Sequence, residues 1–354
     1  MACPLQPFLS QPARLHEATQ RNDRSHADSK SSGERWYAVP VKPSASIEGG
    51  VKISMIVCTR NRASRLPRFL SAIASLEPAP FNWELLIVDH ASTDDTGRVI
   101  QEFAASATFP VRRLRADAPA LSGAKNQAIV AARGEILAFT DDDCYPRPDY
   151  LLALADVFQA HDVGVLGGRV VLHDPTDANV SIRDVDTPAS MEPGTFVRPG
   201  TVHGANLAVR REVLAAIGGF DPLLGPGAPC GAAEDIELVA RAVWAGWRAR
   251  YDPAPVVSHH HGRKPGAEAD RVRRGYDYGR GAYYTKFVLN RRARRAYLRG
   301  WYETTGRGPS AVARQRLRRE LAGGGRYLVQ RMLRRQAIPR FEAAAELADS
   351  KGMP

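Results

Sequence analysis

Three consecutive aspartates, Asp141, Asp142 and Asp143, are the residues of this sequence best suited to metal chemistry. They follow directly on an apolar run that is typical of a buried strand. Like charges this close repel one another unless a cation lies between them, and Mg²⁺ and Mn²⁺ prefer carboxylate oxygens. In an extended strand, Asp141 and Asp143 project to one side and Asp142 to the other. The pattern indicates either a divalent-metal site or a solvated acidic turn.

A run of three histidines, His259, His260 and His261, is a second candidate for metal binding. Adjacent side chains cannot all converge on one ion, so the run as a whole is more typical of a solvated loop. His259 directly follows an apolar stretch that would fix its backbone. We therefore expect His259 to be the ligand if one of the three binds metal.

Short apolar runs alternate with helical stretches from Lys52 onwards. This alternation predicts an α/β fold with parallel strands and crossover helices. In such sheets, ligands bind beyond the C-terminal ends of the strands. The clusters CTRNR, DHASTDD and TDDD each follow a predicted strand. We therefore expect all three to lie along one edge of the sheet.

A second pair of carboxylates, Glu234 and Asp235, follows a Gly- and Pro-rich loop. The apolar residues after the pair recur at helical spacing, at Ile236, Val239 and Val243. Glu234 and Asp235 are therefore predicted to open a helix, where the helix dipole favours their ionised forms.

Composition indicates a globular protein, with 354 residues of which 44% are hydrophobic. Residues 1 to 50 are rich in Ser, Pro, Arg and His, and we expect them to form a disordered arm. The four cysteines are widely spaced without a CxxC pair, which favours free thiols in a reducing compartment. No apolar run approaches the roughly 18 residues of a membrane span, and no signal-peptide pattern opens the chain. A cytoplasmic protein is therefore predicted.

The net charge of +11 is concentrated in the C-terminal third, where residues 263–340 hold 22 Lys and Arg against 5 Asp and Glu. We expect long basic helices with glycine interruptions there. Aromatic residues between Tyr276 and Tyr302 favour contact with an anionic membrane surface. The alternative is a pair of solvated helices packed on the rest of the protein. No nucleic acid partner is expected, because no zinc finger or RNP1 motif occurs.

Six motifs between Ile53 and Gly262 resemble those of the inverting family 2 glycosyltransferases: CTRNR, LLIVDHASTDDT, GAKNQAIVAARGEILAFTDDD, GGFDP, EDIELVARAVWAGWRARY and VVSHH. Their order and spacing make the set specific, although each motif alone is weak. The resemblance implies a GT-A (nucleotide-diphospho-sugar transferase) fold over residues 51–265, an α/β fold with a mostly parallel central sheet flanked by helices. Residues 266–354 would form a basic, mainly helical extension.

The resemblance also implies roles for individual residues. Those implied in binding a nucleoside-diphosphate sugar are Thr59, Arg60, Asn61, Asp89, Lys125, Asn126, Asp141 and Asp142. Those implied in holding Mn²⁺ or Mg²⁺ are Asp141, Asp143 and His259. Asp235 of the ED motif is implied as the catalytic base. The common family pattern DDGSTD is DHASTD here, so its second acid and its glycine are missing.

The implied reaction is sugar transfer to a hydroxyl acceptor in the synthesis of a cell-envelope polysaccharide, a glycolipid or another glycoconjugate. The acceptor would be lipid-linked or a glycan, and the basic third would contact the inner face of the membrane peripherally. One alternative is a binding module for anionic surfaces or nucleic acid on a GT-A-like scaffold. Another is a nucleotidyltransferase, although such enzymes typically carry a Gly-rich loop after the first strand and CTRNR has no glycine. A P-loop enzyme is excluded, because no GxxxxGK[ST] occurs.

Overall fold

The computed structural model describes residues 50–118, 120–305 and 310–337, with side chains as far as Leu333. The predicted arm at residues 1 to 50 lies outside the described residues except for Gly50. The strands are β1 (Ile53–Thr59), β2 (Trp83–Asp89), β3 (Val111–Arg115), β4 (Ile136–Asp141), β5 (Cys144–Pro146), β6 (Val165–Leu172), β7 (Ala189–Met191), β8 (Asn206–Arg210) and β9 (Ala249–His259). The helices are α1 (Leu66–Ala74), α2 (Thr96–Ser106), α3 (Leu121–Ala131), α4 (Tyr150–Ala160), α5 (Arg211–Ile217), α6 (Glu234–Trp244), α7 (Ala267–Leu289), α8 (Arg294–Thr305) and α9 (Ala311–Ala337).

The first half of the central sheet has the parallel order β3-β2-β1-β4 that the sequence predicts. In the register of these strands, Thr59 lies beside Asp89 and Cys58 lies beside Asp141. The polar clusters that follow β1, β2 and β4 therefore lie along one edge of the sheet. This confirms the α/β prediction and the shared edge.

The second half of the sheet is mixed. The order continues from β4 through β8, β6, β9 and β5, and β7 pairs with β9. Strand β8 is antiparallel to both β4 and β6, because the chain returns from β6 through a loop and not through a crossover helix. Four of the eight pairings among the described strands are parallel. The predicted predominance of parallel pairing therefore applies to β1–β4 and not to the whole sheet.

Both faces of the sheet are covered, which explains why its strands read as continuous apolar runs. Ile56 and Val88 face one core together with residues of α3, α6 and α7. Met55 and Ile87 face the opposite core together with residues of α1 and α4. Alternate residues of β1 and β2 thus enter different cores, as strand geometry requires.

The C-terminal helices share the first of these cores. Tyr283, Tyr284 and Phe287 of α7 and Tyr297 of α8 are almost completely buried in it. Four of the eight aromatic residues between Tyr276 and Tyr302, from which the sequence favours a membrane surface, therefore pack inside the protein. The domain boundary between residues 265 and 266 stays a prediction.

Helix α7 is continuous, so the predicted glycine interruptions are wrong there. Its glycines allow close helix contact instead. A Cβ atom added to Gly281 would lie 1.8 Å from the carbonyl oxygen of Glu320 in α9. A Cβ atom added to Gly323 of α9 would lie 1.9 Å from the carbonyl oxygen of Tyr278, so these glycines let the two helix backbones approach closely. None of the helices that the structure describes is apolar over a length sufficient to cross a bilayer.

Candidate active site

A cavity of about 310 Å³ lies beyond the C-terminal end of β4. Four of the predicted site residues line it: Lys125, Asp141, Asp235 and His259. They come from α3, the end of β4, the start of α6 and the end of β9. The sheet edge predicted to bind a ligand therefore carries a concave site, and α6 and β9 complete it.

The antiparallel pairing of β5 with β9 assembles the candidate metal group. Cys144 lies opposite His259 in this pairing, and the backbone N–H of His260 donates to the carbonyl oxygen of Asp143 over 2.8 Å. His259 Nε2 is consequently 3.4 Å from Asp143 Oδ1. One ligand atom from each of Asp143, Cys144 and His259 lies within 4.8 Å of the others.

The contact between Asp143 and His259 favours the ionised form of each side chain. Burial opposes ionisation of Asp143, but its contact with His259 prevails and lowers the pKa of this carboxyl. Burial likewise opposes protonation of His259, and the carboxylates of Asp143 and Asp141 prevail and raise its pKa. The pair therefore forms a polar site within the protein in which positive charge is favoured beside the carboxylates.

Two observations fit a divalent cation at this position. His259 Nδ1 is buried and has no hydrogen-bond partner among the described residues. Burial also raises the pKa of Asp141 although the cationic Lys125 opposes it, so this carboxylate at the end of β4 lacks sufficient compensating charge. Carboxylate oxygens with one imidazole nitrogen are suitable ligands for Mn²⁺ or Mg²⁺. Asp143 and His259 therefore fit the predicted ion, whereas Asp141 lines the cavity with His259 but is not part of the group within 4.8 Å, and its role as a ligand stays a prediction.

Cys144 was not predicted as part of this group. Its side chain is fully buried, and burial raises the pKa of the thiol well above its ordinary value. A neutral thiol is a poor ligand for the hard ions that the carboxylates prefer. We therefore interpret Cys144 as a core-packing residue of β5 that lies beside the candidate ligands and does not bind the ion.

Asp142 faces the loop after β1. Its Oδ2 accepts a 2.5 Å hydrogen bond from Thr59 Oγ1, and its Oδ1 lies 3.5 Å from Arg62 Nε. Burial raises the pKa of Asp142 to about 6 against the opposing effects of Thr59 and Arg62. Thr59 and Asp142 thus join the ends of β1 and β4, beside the cavity and outside its lining.

Asn61 joins the loop after β1 to the loop after β2. It has a positive φ of 52°, and its Oδ1 accepts a 2.8 Å hydrogen bond from the backbone N–H of Thr93. Its own N–H donates to Ser92 Oγ over 3.0 Å. Arg60, the residue before it, is exposed.

Asp89 is buried at the end of β2. Its carboxylate lies 2.5 Å from Arg113 Nη2 and accepts a 3.0 Å hydrogen bond from the backbone N–H of Ser92. Burial opposes ionisation, but these two partners together lower the pKa of Asp89. The carboxylate is thus fixed and ionised at the end of β2, and it does not line the cavity. Its contact with a nucleoside stays a prediction.

Lys125 and Asn126 are neighbours with different surroundings. The Nζ of Lys125 is buried 3.2 Å from Glu234 Oε1. Burial disfavours its charge, but the carboxylates of Glu234 and Asp141 prevail and raise the pKa of Lys125. Asn126 donates to the carbonyl oxygen of Phe220 and accepts from its N–H, over 2.9 and 2.7 Å. Asn126 therefore positions GGFDP, whereas Lys125 brings positive charge to the cavity.

Asp235 is held at the start of α6 with its carboxylate on the cavity. Its Oδ2 accepts a 2.8 Å hydrogen bond from the N–H of Gly204, and its Oδ1 accepts one from Ile236 over 2.7 Å. Among the described residues, no lysine or arginine forms an ion pair with it, whereas the neighbouring Glu234 is paired with Lys125. Asp235 is therefore the carboxylate of the ED pair that is able to accept a proton from a bound molecule.

Three further cavity residues were missed in the sequence. Burial and the neighbouring His259 lower the pKa of His203 to about 4, so its imidazole is neutral. Tyr276 and Arg280 reach the cavity from α7, and Tyr276 is hydrogen-bonded to Ser181. Their spacing of four residues places both on one helix face, but nothing local indicates that this face meets the strand ends.

The family model for "Glycosyl transferase family 2" matches residues 54–218. These residues form a glycosyltransferase family 2 domain. The match confirms the resemblance seen in the motifs from CTRNR to TDDD. It ends at Gly218, before Asp235 and His259, so the roles of those two residues depend on the geometry of the cavity.

Relatives and solved structures agree with this assignment. Glycosyltransferase AglE of Haloferax volcanii is 26% identical over 196 residues, which cover 55% of this chain and 62% of the relative. The beta-monoglucosyldiacylglycerol synthase of Nostoc sp. is 26% identical over 194 residues, which cover 52% of this chain and 41% of the relative. The chain thus spans roughly half the length of these relatives.

Among solved structures, the mannosyltransferase PcManGT from Pyrobaculum calidifontis, in complex with GDP-Man and Mn²⁺, has a TM-score of 0.54 at 20% identity. The similarity covers 89% of this chain and 82% of the mannosyltransferase chain. At this identity the similarity concerns the fold, and it confirms the predicted GT-A fold of the glycosyltransferase domain.

Proposed function

We propose that this protein transfers a sugar from a nucleoside-diphosphate sugar to a hydroxyl acceptor, with a divalent metal ion and with inversion at the anomeric carbon. The observation that carries the proposal is the placement of two unlike groups on one cavity. Asp141 and His259 line the same space as the Asp235 carboxylate, and His259 also belongs with Asp143 to the group of side chains that could hold a metal ion. Inverting transfer requires these two functions, one for the leaving group and one for the nucleophile.

The metal would be held by Asp141, Asp143 and His259. When bound, such an ion neutralises the charge that develops on a departing nucleoside diphosphate. The buried and charged Lys125, which interacts electrostatically with Asp141, adds positive charge on the same side. These residues would orient the diphosphate and exclude water from it.

Asp235 would act on the acceptor. Hydrogen bonds from Gly204 and Ile236 fix its carboxylate on the cavity wall, where it takes the proton of the acceptor hydroxyl as that oxygen attacks the anomeric carbon. The bond to the diphosphate breaks as the new glycosidic bond forms. One displacement from the opposite side inverts the anomeric configuration.

The nucleoside would lie along the strand ends beside the cavity. Asp89 is ionised there, Thr59 and Asp142 are joined by a hydrogen bond, and Asn61 fixes the loop that carries Arg60. This arrangement supports their proposed roles in binding the base and the ribose. The GDP-Man complex of the structurally similar mannosyltransferase supports a sugar nucleotide as the donor class.

The acceptor would belong to a glycolipid, a cell-envelope polysaccharide or another glycoconjugate. The name of the Nostoc relative, a beta-monoglucosyldiacylglycerol synthase, supports the first of these. The surplus of basic residues in the C-terminal third supports an acceptor presented at an anionic membrane, which the protein would contact peripherally.

A panel of sugar nucleotides tests the proposed reaction. The protein is incubated with each one in Mn²⁺ and in chelator, and release of nucleoside diphosphate is measured. We expect release from one or a few donors in Mn²⁺ and none in chelator. Pyrophosphate release from a nucleoside triphosphate and a sugar phosphate would instead favour a nucleotidyltransferase, and inactivity with every donor would contradict the proposal.

A further inference from the structure

The last helix, α9, carries an unusual concentration of exposed apolar side chains. Twelve large hydrophobic residues are exposed in the part of the chain that the structure describes, and seven of them lie on α9. Six form a surface that we call the apolar face of α9: Leu317, Leu321, Leu328, Val329, Met332 and Leu333. Their spacing of three, four and seven residues places them along one side of the helix.

The opposite side of α9 is packed against α7. Gly323 and Gly324 lie against the backbone of Tyr278 and the side chain of Thr285, and Tyr327 is buried on the same side. Glu320 is fully buried there and accepts hydrogen bonds from Arg280 and Trp301. Because this side anchors the helix to the protein, the apolar face is directed outward.

The charge of α9 is strongly positive. Its sequence holds eight arginines and a single acid, Glu320, which is buried. Arg316 and Arg319 face α7, where they contact Glu320 and Asp277. Arg314, Arg318 and Arg326 are exposed near the apolar face. The outward surface of α9 therefore combines aliphatic side chains with guanidinium groups.

We propose that the apolar face of α9 lies on the surface of an anionic lipid bilayer. Aliphatic side chains enter the boundary between headgroups and acyl chains, while arginines beside them extend to the phosphates. A second copy of α9 fits this face poorly, because two such helices would repel each other through their arginines. A nucleic acid would use the arginines but would leave the leucines and Met332 without an apolar partner.

The apolar face of α9 lies near the cavity, because α9 packs against α7 and α7 lines the cavity. Tyr276 and Arg280 of α7 line the cavity, and Arg280 Nε donates to Glu320 of α9 over 2.7 Å. The bilayer contact would thus be one helix away from the cavity, within reach of an acceptor whose lipid part stays in the membrane. This last step rests on the proposed glycosyl transfer, whereas the membrane contact itself does not.

Vesicle sedimentation of the full chain tests the proposal. Vesicles containing phosphatidylglycerol are compared with vesicles of phosphatidylcholine alone. We expect sedimentation with the anionic vesicles only, and its loss at about 1 M salt, where charges are screened beyond about 3 Å. Protein that stays in the supernatant with both, or that binds both equally, overturns the proposal.

Two variants locate the contact. Leu321→Gln/Leu328→Gln/Met332→Gln removes apolar area from the face, and we expect it to weaken binding by about tenfold or more. Val130→Gln, an exposed apolar residue on α3, is the matched control and should bind normally. Equal binding by the triple variant and the wild type would overturn the assignment to α9, as would dimerisation that the triple variant abolishes.

The same variants separate this proposal from the proposed function. Leu321, Leu328 and Met332 lie outside the cavity lining, so donor hydrolysis in solution should be unchanged in the folded triple variant. Normal hydrolysis with lost vesicle binding supports the membrane face. Vesicle binding by a protein that hydrolyses no donor would sink the proposed function and leave the membrane face standing.

Discussion

His259 Nε2 lies 3.4 Å from Asp143 Oδ1 although the two residues are far apart in the sequence. The short strand β5 creates this contact by pairing with the end of β9, so that Cys144 lies opposite His259. The same end of β9 places His259 on the cavity that Asp141 and Asp235 also line. A local strand pairing thus joins the candidate metal ligands to the candidate base.

Replacement of Asp143 by asparagine should abolish metal-dependent donor binding. The change keeps the shape of the side chain but removes a hard anionic ligand and the ionic partner of His259. Mn²⁺ titration followed by water-proton relaxation, in the presence of the donor that the panel identifies, measures the effect. Asp117→Asn, at a highly exposed aspartate, is the control. Unchanged Mn²⁺ affinity in folded Asp143→Asn would remove this residue from the site.

Cys144 provides a separate test of the ligand set. Because its thiol is buried and neutral, we expect Cys144→Ala to retain Mn²⁺ binding within a few-fold, with a small loss of stability from the lost packing. The titration used for Asp143→Asn also measures this. Loss of Mn²⁺ binding in a folded Cys144→Ala protein would show that the thiol takes part.

Asp235→Asn should affect the chemical step more than donor binding. Loss of a general base typically lowers the rate by about 10²- to 10⁴-fold. Asn can replace only one of the two accepting oxygens that bind Gly204 and Ile236, so thermal unfolding must show that the variant is folded. Single-turnover rates and donor affinity are measured together. Near-normal turnover with weakened donor binding would contradict the assignment.

A buried lysine joins α7 to α6 and to the loop that follows α5. Lys286 Nζ lies 2.7 Å from both Asp221 Oδ2 and Glu237 Oε1, and all three side chains are buried. Lys286→Met should cost about 3–5 kcal/mol of stability at neutral pH, because two carboxylates then lose a buried cation. Denaturant unfolding measures the loss. Arg98→Met, at an exposed ion pair, should change stability little.

The stability lost in Lys286→Met should also depend on pH. Burial opposes ionisation of Asp221, but Lys286 prevails and lowers its pKa. In the wild type, this stabilisation is present above the ordinary carboxyl pKa and is lost as the pH falls through the lowered value. Without Lys286, the N–H of Leu223 and the charge of Arg241 remain to oppose the effect of burial, so the pKa of Asp221 should be higher in the folded variant than in the wild type. Asp221 of the variant should therefore become protonated at a higher pH. The stability difference should therefore shrink from pH 7.5 to about 5. A difference that grows on acidification would refute this reading.

Replacement of two glycines of α7 by alanine should change the stability of the protein in opposite directions. Gly281→Ala places a Cβ atom against the backbone of Glu320, which cannot move independently, and should cost about 1–3 kcal/mol. Gly275 has no atom within 4 Å of that position, so Gly275→Ala should add up to about 1 kcal/mol through helix propensity. Melting temperatures compare the two. Equal effects would mean that α7 and α9 do not pack closely at Gly281.

The sequence predicted β1–β4 and α6 because their signals are local. KISMIVC and EILAFTD are continuous apolar runs, and the apolar spacing after Asp235 marks a helix. The pairings of β8 and β5 were not predicted, since a strand of three to five residues without helical crossover leaves little periodic signal. The basic sequence around Lys286 is typical of an exposed helix, but this lysine is buried because it pairs with the buried carboxylates of Asp221 and Glu237. Tyr276 and Arg280 join the cavity for the same nonlocal reason.

The central claim, that a divalent metal joins a sugar nucleotide to this cavity, is tested most directly by calorimetric titration of the wild-type protein with its donor. The titration is done once with Mn²⁺ and once with chelator. The account predicts saturable binding with Mn²⁺ that chelator weakens by about tenfold or more, because diphosphate then meets unscreened Asp141 and Asp143. Equal affinity under the two conditions would contradict it.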